Sequence, residues 1–185
     1  MDSEALISGV RDHYIQQFNA FVAFQVAKHS GGVAEVMFEL PENDQLFRRL
    51  YCVDFAVNKD GLTVIEMEPD RLLSFEPIRF VRAQAKVSIE SLCWDDIIFK
   101  WGGCFVWTTA WSSWFEKWFD PDDRRTGKAD EALGRIHSLS VEGNSAVVDF
   151  GTARPKAFWE FLDHLIASGV QEVRVSTSRT VESAS

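Results

Sequence analysis

The spacing of apolar positions divides the chain into segments of two kinds. Over residues 3–19, Leu6, Ile7, Val10, Tyr14 and Phe18 fall within one arc of about 120°, which predicts an amphipathic helix. Ser3 is placed to cap it, with Glu4 in the first turn, where the helix dipole favours an anion. Residues 20–28 fit a helix or a strand equally, because Phe21, Val22, Phe24 and Val26 satisfy both periods. Ser30-Gly31-Gly32 ends the segment either way.

Beyond that turn the period is close to two. Ala34, Val36, Phe38 and Leu40 share one strand face, with Val33, Glu35, Met37 and Glu39 opposite. A short helix is predicted over 44–50. Tyr51, Val53, Phe55 and Val57 then alternate, and Asn58-Lys59-Asp60-Gly61 supplies a hairpin loop into a return strand over 62–68. Over 81–90, Val81, Ala83, Ala85, Val87 and Ile89 alternate with Arg82, Gln84, Lys86, Ser88 and Glu90, as in a strand with one wet face.

Two patterns compete in the next segment. Trp107, Trp111, Trp114 and Trp118 are spaced four, three and four, so a single helix would stack them on one side. Gly102-Gly103, flanked by β-rich runs at 97–101 and 104–109, instead predicts a hairpin turn. Ser113-Trp114-Phe115-Glu116 matches a capping box, which starts a helix at Ser113 that runs to about Phe119. The hairpin followed by the short helix satisfies both local signals. Trp107 and Trp111 share a face under either folding.

Residues 120–131 carry eight charges with no periodicity and form a surface loop, the one internal boundary the sequence suggests. A hairpin over 135–150 follows, turning at Glu142-Gly143-Asn144. A helix begins near Pro155, buries Phe158, Phe161, Leu162, Leu165 and Ile166, and stops at Gly169. A strand over 170–176 completes a β-α-β unit, and the tail 177–185 is polar. The sum is an α+β fold in one domain over 1–185. Its sheet is mostly antiparallel and curved, with an N-terminal helix, a short Trp-rich helix and a C-terminal β-α-β unit.

Composition narrows the classes. The 185 residues are 46% hydrophobic and 25% charged, ordinary for a globular chain and too apolar for disorder. The net charge of −9 argues against nucleic acid and anionic membranes, both of which recruit cations. Cys52, Cys93 and Cys104 form an odd set with no C-x-x-C, which excludes a disulfide framework or zinc motif. No basic, apolar leader stands at Met1, so a cytoplasmic location is expected.

The candidate chemistry is sparse. No phosphate loop, dinucleotide fingerprint, zincin motif or nucleophile elbow occurs, and no cofactor is called for. His137, on a strand face with Leu139, is the histidine to consider for a hydrolase-like site with carboxylates from distant strands. Asp120, Asp122 and Asp123 could hold a hard cation, or form a solvated turn neutralised by Arg124 and Arg125. Arg82 and Lys86, in a row with Gln84 and Ser88, could receive an anionic ligand, or pair across strands with Glu66 and Glu68.

Trp107, Trp111, Trp114, Phe115 and Trp118 suit either a dense core or an aromatic binding surface. The leading expectation is an acidic partner-binding protein, of the kind that immunity and inhibitor proteins represent. It would engage another protein or a second copy of itself through that aromatic segment. The alternatives are a small-molecule binder with an aromatic pocket between sheet and first helix, and an enzyme built on His137.

Overall fold

The computed structural model describes residues 2–40, 50–59, 61–69, 72–103, 108–125 and 133–179. The ladder of Leu6, Ile7, Val10, Tyr14 and Phe18 forms the inner face of helix α1 (Ser3–Lys28). Its cap lies one residue earlier than expected: the Asp2 side chain accepts from the Glu4 amide at 3.4 Å. The undecided residues 20–28 continue the helix. Phe21 meets Phe55 edge-on at 6.5 Å, and Ala20, Ala23 and Ala27 favour helix intrinsically. Gly31, at φ +81°, turns the chain back toward the sheet.

Strands β1 (Val33–Glu39), β2 (Leu50–Asn58) and β3 (Leu62–Ile65) form an antiparallel sheet in that order. The predicted hairpin is present, with Asn58 paired to Leu62, but its return strand stops at Ile65. The central strand β2 is buried on both faces from Cys52 to Val57. Most of the helix expected over 44–50 lies outside the described residues, and Leu50 belongs to β2.

A second sheet holds β4 (Ile78–Arg82), β5 (Ala85–Ile89), β6 (Ile97–Trp101), β7 (Ser138–Glu142), β8 (Ser145–Asp149) and β9 (Glu172–Ser176). Their order is β4-β5-β9-β6-β8-β7, antiparallel except where β5 meets β9. The strands therefore divide into two sheets where the periodicity suggested one. β8 and β9 both run antiparallel to β6, so they are parallel to each other with β6 between them. The β-α-β unit, joined by α3 (Pro155–Ala167), is thus split by β6.

Two expectations are corrected here. The strand over 81–90 is a hairpin: Ala83 and Gln84 take φ of +42° and +76° and turn the chain, with Arg82 opposite Ala85. Of the return strand expected over 104–109, residues 104–107 lie outside the described residues and Thr109 begins a helix, while β8 and β9 occupy both edges of β6. Helix α2 (Thr109–Phe119) starts a turn before the Ser113 capping box, with Thr108 at the cap position. It closes on Asp120 in the left-handed region.

One hydrophobic cluster runs from the inner face of α1 across Ile97, Phe99 and Trp101 on one face of β6 to α2 and α3. The fold is α+β, with the core concentrated over the six-stranded sheet and the three-stranded sheet joined at its margin.

Candidate functional site

The aromatic segment lies inside the core. Trp111 and Trp114 each meet Phe161 of α3 at 5.0 Å, and Phe115 stacks on Phe119 at 4.9 Å. The indole Nε1 of Trp114 donates to the Ala157 carbonyl at 3.2 Å, and that of Trp118 to Glu160 Oε2 at 2.8 Å. All five α2 side chains are buried, so the expected aromatic surface is corrected to a layer sealed between α2, α3 and the sheet. Trp107 lies outside the described residues.

Arg82 and Lys86 do not form a row. They stand on different strands of a hairpin; Arg82 lies in register with buried Ala85 and Lys86 with exposed Val81, so they face opposite sides. Arg82 grips Asp163 through two hydrogen bonds of 2.5 and 2.8 Å and covers the Trp159 ring at 4.8 Å. The acidic turn is spoken for as well. Asp120 is buried and accepts from the amides of Arg124 and Arg125 at 3.0 Å, Asp122 pairs with Arg124, and Asp123 pairs with Arg135. Among the described residues no group of side chains is arranged to hold a metal ion.

His137 stands just before β7, where the two sheets meet. Its amide donates to the Asp149 carbonyl at 2.9 Å, and its own carbonyl accepts from the Cys52 amide at 2.7 Å, which ties β2 to β8. The ring is 1% exposed. Nε2 lies 3.1 Å from Glu35 Oε1. Nδ1 lies 3.1 Å from Asp54 Oδ1, off the hydrogen-bond line, and 3.8 Å from Asp149 Oδ2. Gly151 makes room for it: a Cβ there would sit 2.2 Å from the imidazole.

Asp149 ends β8 of the larger sheet, whereas Glu35 and Asp54 begin a row of carboxylates across the smaller one. Glu35 faces Asp54, and Asp54 in turn takes its amide to Glu66 Oε2 at 3.2 Å and accepts from the Met67 amide at 2.7 Å. Like charges directly opposite on a sheet repel, so the row needs a cation. Glu35 also adopts φ +52°, a left-handed conformation costing about 1–2 kcal/mol outside glycine, and its Oε1 takes a second hydrogen bond from Thr152 at 2.6 Å.

Electrostatics follow from this packing. Burial pushes the His137 pKa down, but the charge on Asp149, the close contact with Asp54 and the hydrogen bond to Glu35 outweigh it and hold the imidazole well above its ordinary value. Burial pushes Glu35 up, yet His137 more than compensates and keeps it below the usual carboxylate range. Burial lifts Asp149 to about 7. A carboxylate against each nitrogen favours the protonated ring, which equips it to hold strands together.

A different surface stands out at the far end of α1. From Ala20 to Ala27 the only polar residue, Gln25, points inward, 7% exposed and with its Oε1 unpaired. Ala20, Ala23, Phe24 and Ala27 form an outward stripe about 100° wide. Phe24 is 61% and Val26 55% exposed. The helix end opens onto a groove of about 310 Å³ beside the β2–β3 hairpin, lined by His29, Val57, Lys59 and Leu62, with Leu62 and nearby Val33 also exposed. This polarity is inverted relative to the first half of the same helix.

Comparison with protein-family models, curated protein sequences and solved structures finds no match. The sequence drew attention to His137 but not to its partners. The available signal was Asp54, a lone carboxylate in the apolar run 51–57. The exposed end of α1 was hidden by the helix-or-strand ambiguity, since only a helical reading places Gln25 on the inner track and Phe24 outside.

Proposed function

We propose that this is a partner-binding protein that docks through the C-terminal half of α1 and the adjoining β2–β3 hairpin. The inverted polarity of residues 20–27 carries the reading. An amphipathic surface helix buries its apolar side, whereas here the polar side chain is inside and an apolar stripe faces solvent. Helices of this kind are covered by laying the stripe into an apolar groove or against another helix. The three alanines allow close backbone approach, and Phe24 is the anchor.

The partner is a protein with an apolar groove, a second copy of this chain included. No helix among the described residues is long and apolar enough to cross a membrane, so the stripe is not part of a span. Light scattering over a concentration series, on the wild type and on Phe24→Glu, tests the first case: a dimer abolished by the substitution identifies self-association. For a monomer, complexes recovered from the native cell should be lost in Phe24→Glu. A monomer whose complexes are unaffected by that substitution contradicts the proposal.

A further inference from the structure

A cavity of about 600 Å³ opens between α1 and β1, with Asn19 at its rim. It lies within the size range of small-ligand sites. Its apolar wall is Ile15, Val33 and Met37, and its polar wall holds three guanidinium groups, from Arg11, Arg125 and Arg135. A cationic lining is unexpected in a chain of net charge −9.

Each arginine is paired with one aspartate, Arg11 with Asp12 at 3.2 Å, Arg125 with Asp120 at 3.3 Å and Arg135 with Asp123 at 2.8 Å, and what the cleft offers is the donors left over. Arg11 donates through Nε and Nη2 to the carbonyls of Ala153 and Thr152, at 3.3 and 3.2 Å. Arg125 donates through Nη1 and Nη2 to the carbonyls of Gly134 and Trp118, at 2.7 and 3.2 Å, with Asp120 behind it. Backbone carbonyls orient a guanidinium without neutralising it. Arg135 uses only Nη2, on Asp123 at 2.8 Å, so Nε and Nη1 remain as donors. Two carboxylates line the cleft with this set, Asp123, which is paired with Arg135, and Glu35. Because Glu35 Oε1 takes both the His137 and Thr152 bonds, Oε2 keeps its lone pairs. The buried His137 cation and the left-handed backbone hold that carboxylate in place.

We infer that this cleft binds a small organic anion that carries an oxyanion and, beside it, a hydroxyl or ammonium donor. The oxyanion meets the free Arg135 nitrogens within the field of Arg11 and Arg125, the donor meets Glu35 Oε2, and the apolar portion lies on Ile15, Val33 and Met37. Arginine suits this role because its planar fork matches a carboxylate or phosphate. The donor requirement follows from Glu35, which repels an oxyanion that brings no proton to it.

Four probes separate the parts of the inference: mandelate, phenylacetate, phenyl phosphate and benzyl alcohol, each titrated by ligand-observed NMR. Mandelate should bind saturably and more tightly than phenylacetate, which lacks the donor, and benzyl alcohol should not bind. Phenyl phosphate reports whether phosphate replaces carboxylate as the oxyanion: binding supports an oxyanion of either kind, and its failure beside mandelate binding supports a carboxylate. Arg135→Gln should weaken mandelate about tenfold or more, the loss expected for a charge-assisted bond. If that variant does not fold, Asn19→Glu adds a carboxylate on the exposed rim without touching an arginine, and should weaken the anions while leaving the fold intact. Absence of saturable binding by mandelate overturns the inference, as does mandelate affinity unchanged in a folded Arg135→Gln variant or in Asn19→Glu.

Discussion

Helix α2 and the second half of α1 look alike as sequence and end in opposite environments. Both carry a broad apolar surface: Trp111, Trp114, Phe115, Trp118 and Phe119 span about 140° of one, and Ala20 to Ala27 leave only Gln25 polar in the other. The first is sealed, because α3 presents Phe161, Ala157 and Glu160 to its indoles and the sheet covers the rest. The second is covered on one side only, by Phe55 and its neighbours on β2. A broad apolar helix face announces that something must cover it and does not say what. Large aromatics drew the eye to α2, but size also makes them the natural filling of a core. Small residues with one exposed ring are the quieter signal, and the proposed docking surface rests on them.

A matched pair of truncations breaks or sharpens this contrast. Trp118→Ala removes a fully buried indole with a hydrogen-bonded Nε1, and should cost about 3–5 kcal/mol in urea unfolding. Phe24→Ala removes an aromatic of similar kind and should change stability by less than about 0.5 kcal/mol. Equal losses would show that the exposed end of α1 is packed after all.

The junction between the sheets is buried like α2 but held by charge, and pH should tell the two apart. His137→Ala strands Glu35, Asp54 and Asp149 around a cavity and should cost about 3–5 kcal/mol at neutral pH. In the wild type the His137 contribution is fully present below the unfolded imidazole pKa. It is lost as pH rises through the higher folded value. Asp149, lifted to about 7, acts in the same direction, since its ionisation is harder in the folded chain. Glu35 acts in the opposite direction: its contribution is present above the unfolded carboxylate pKa and lost as pH falls through the lower folded value. Stability should therefore fall on the alkaline side, and His137→Ala should flatten that fall. Trp118→Ala should shift the whole pH profile without changing its shape. A flat alkaline profile in the wild type would mean that His137 is not the cation holding the row.

A smaller effect concerns the inner track of α1. Gln25→Leu replaces a buried side chain with an unpaired Oε1 by an apolar one and should stabilise by about 1 kcal/mol. Thermal unfolding checks the sign. Destabilisation would mean that the Gln25 amide makes an essential bond.

Most elements were legible because their periodicity was long and clean. The first helix, the 58–62 hairpin, the 135–150 hairpin and the Pro155 helix all follow from local pattern. The misreadings share a cause, which is that pairing is not local. Val81 to Ile89 alternates perfectly as one strand, yet Ala83 and Gln84 turn it with no glycine to mark the place. The Gly-Gly turn after β6 is a good local signal, yet Thr109 begins a helix, and β8 and β9 take both edges of that strand. The charged cluster was half visible. His137 stood out as a residue type, but Glu35, Asp54 and Asp149 reach it from three different strands, across as many as 102 residues of sequence. The arginine-lined cleft was invisible for the same reason, since Arg11, Arg125 and Arg135 come from α1 and from loops on either side of a long charged segment.

The account rests on the exposed end of α1 being a docking surface, and site-specific photo-cross-linking tests that most directly. A benzophenone amino acid replaces Ala27 on the stripe, and Thr109 at the exposed start of α2 as the control, in the full chain expressed in its native cell. The account predicts one discrete adduct from position 27 that Phe24→Glu abolishes, and none from position 109. Its mass shows whether the partner is a second copy or another protein. No adduct from position 27, or the same adducts from both positions regardless of Phe24→Glu, would contradict it.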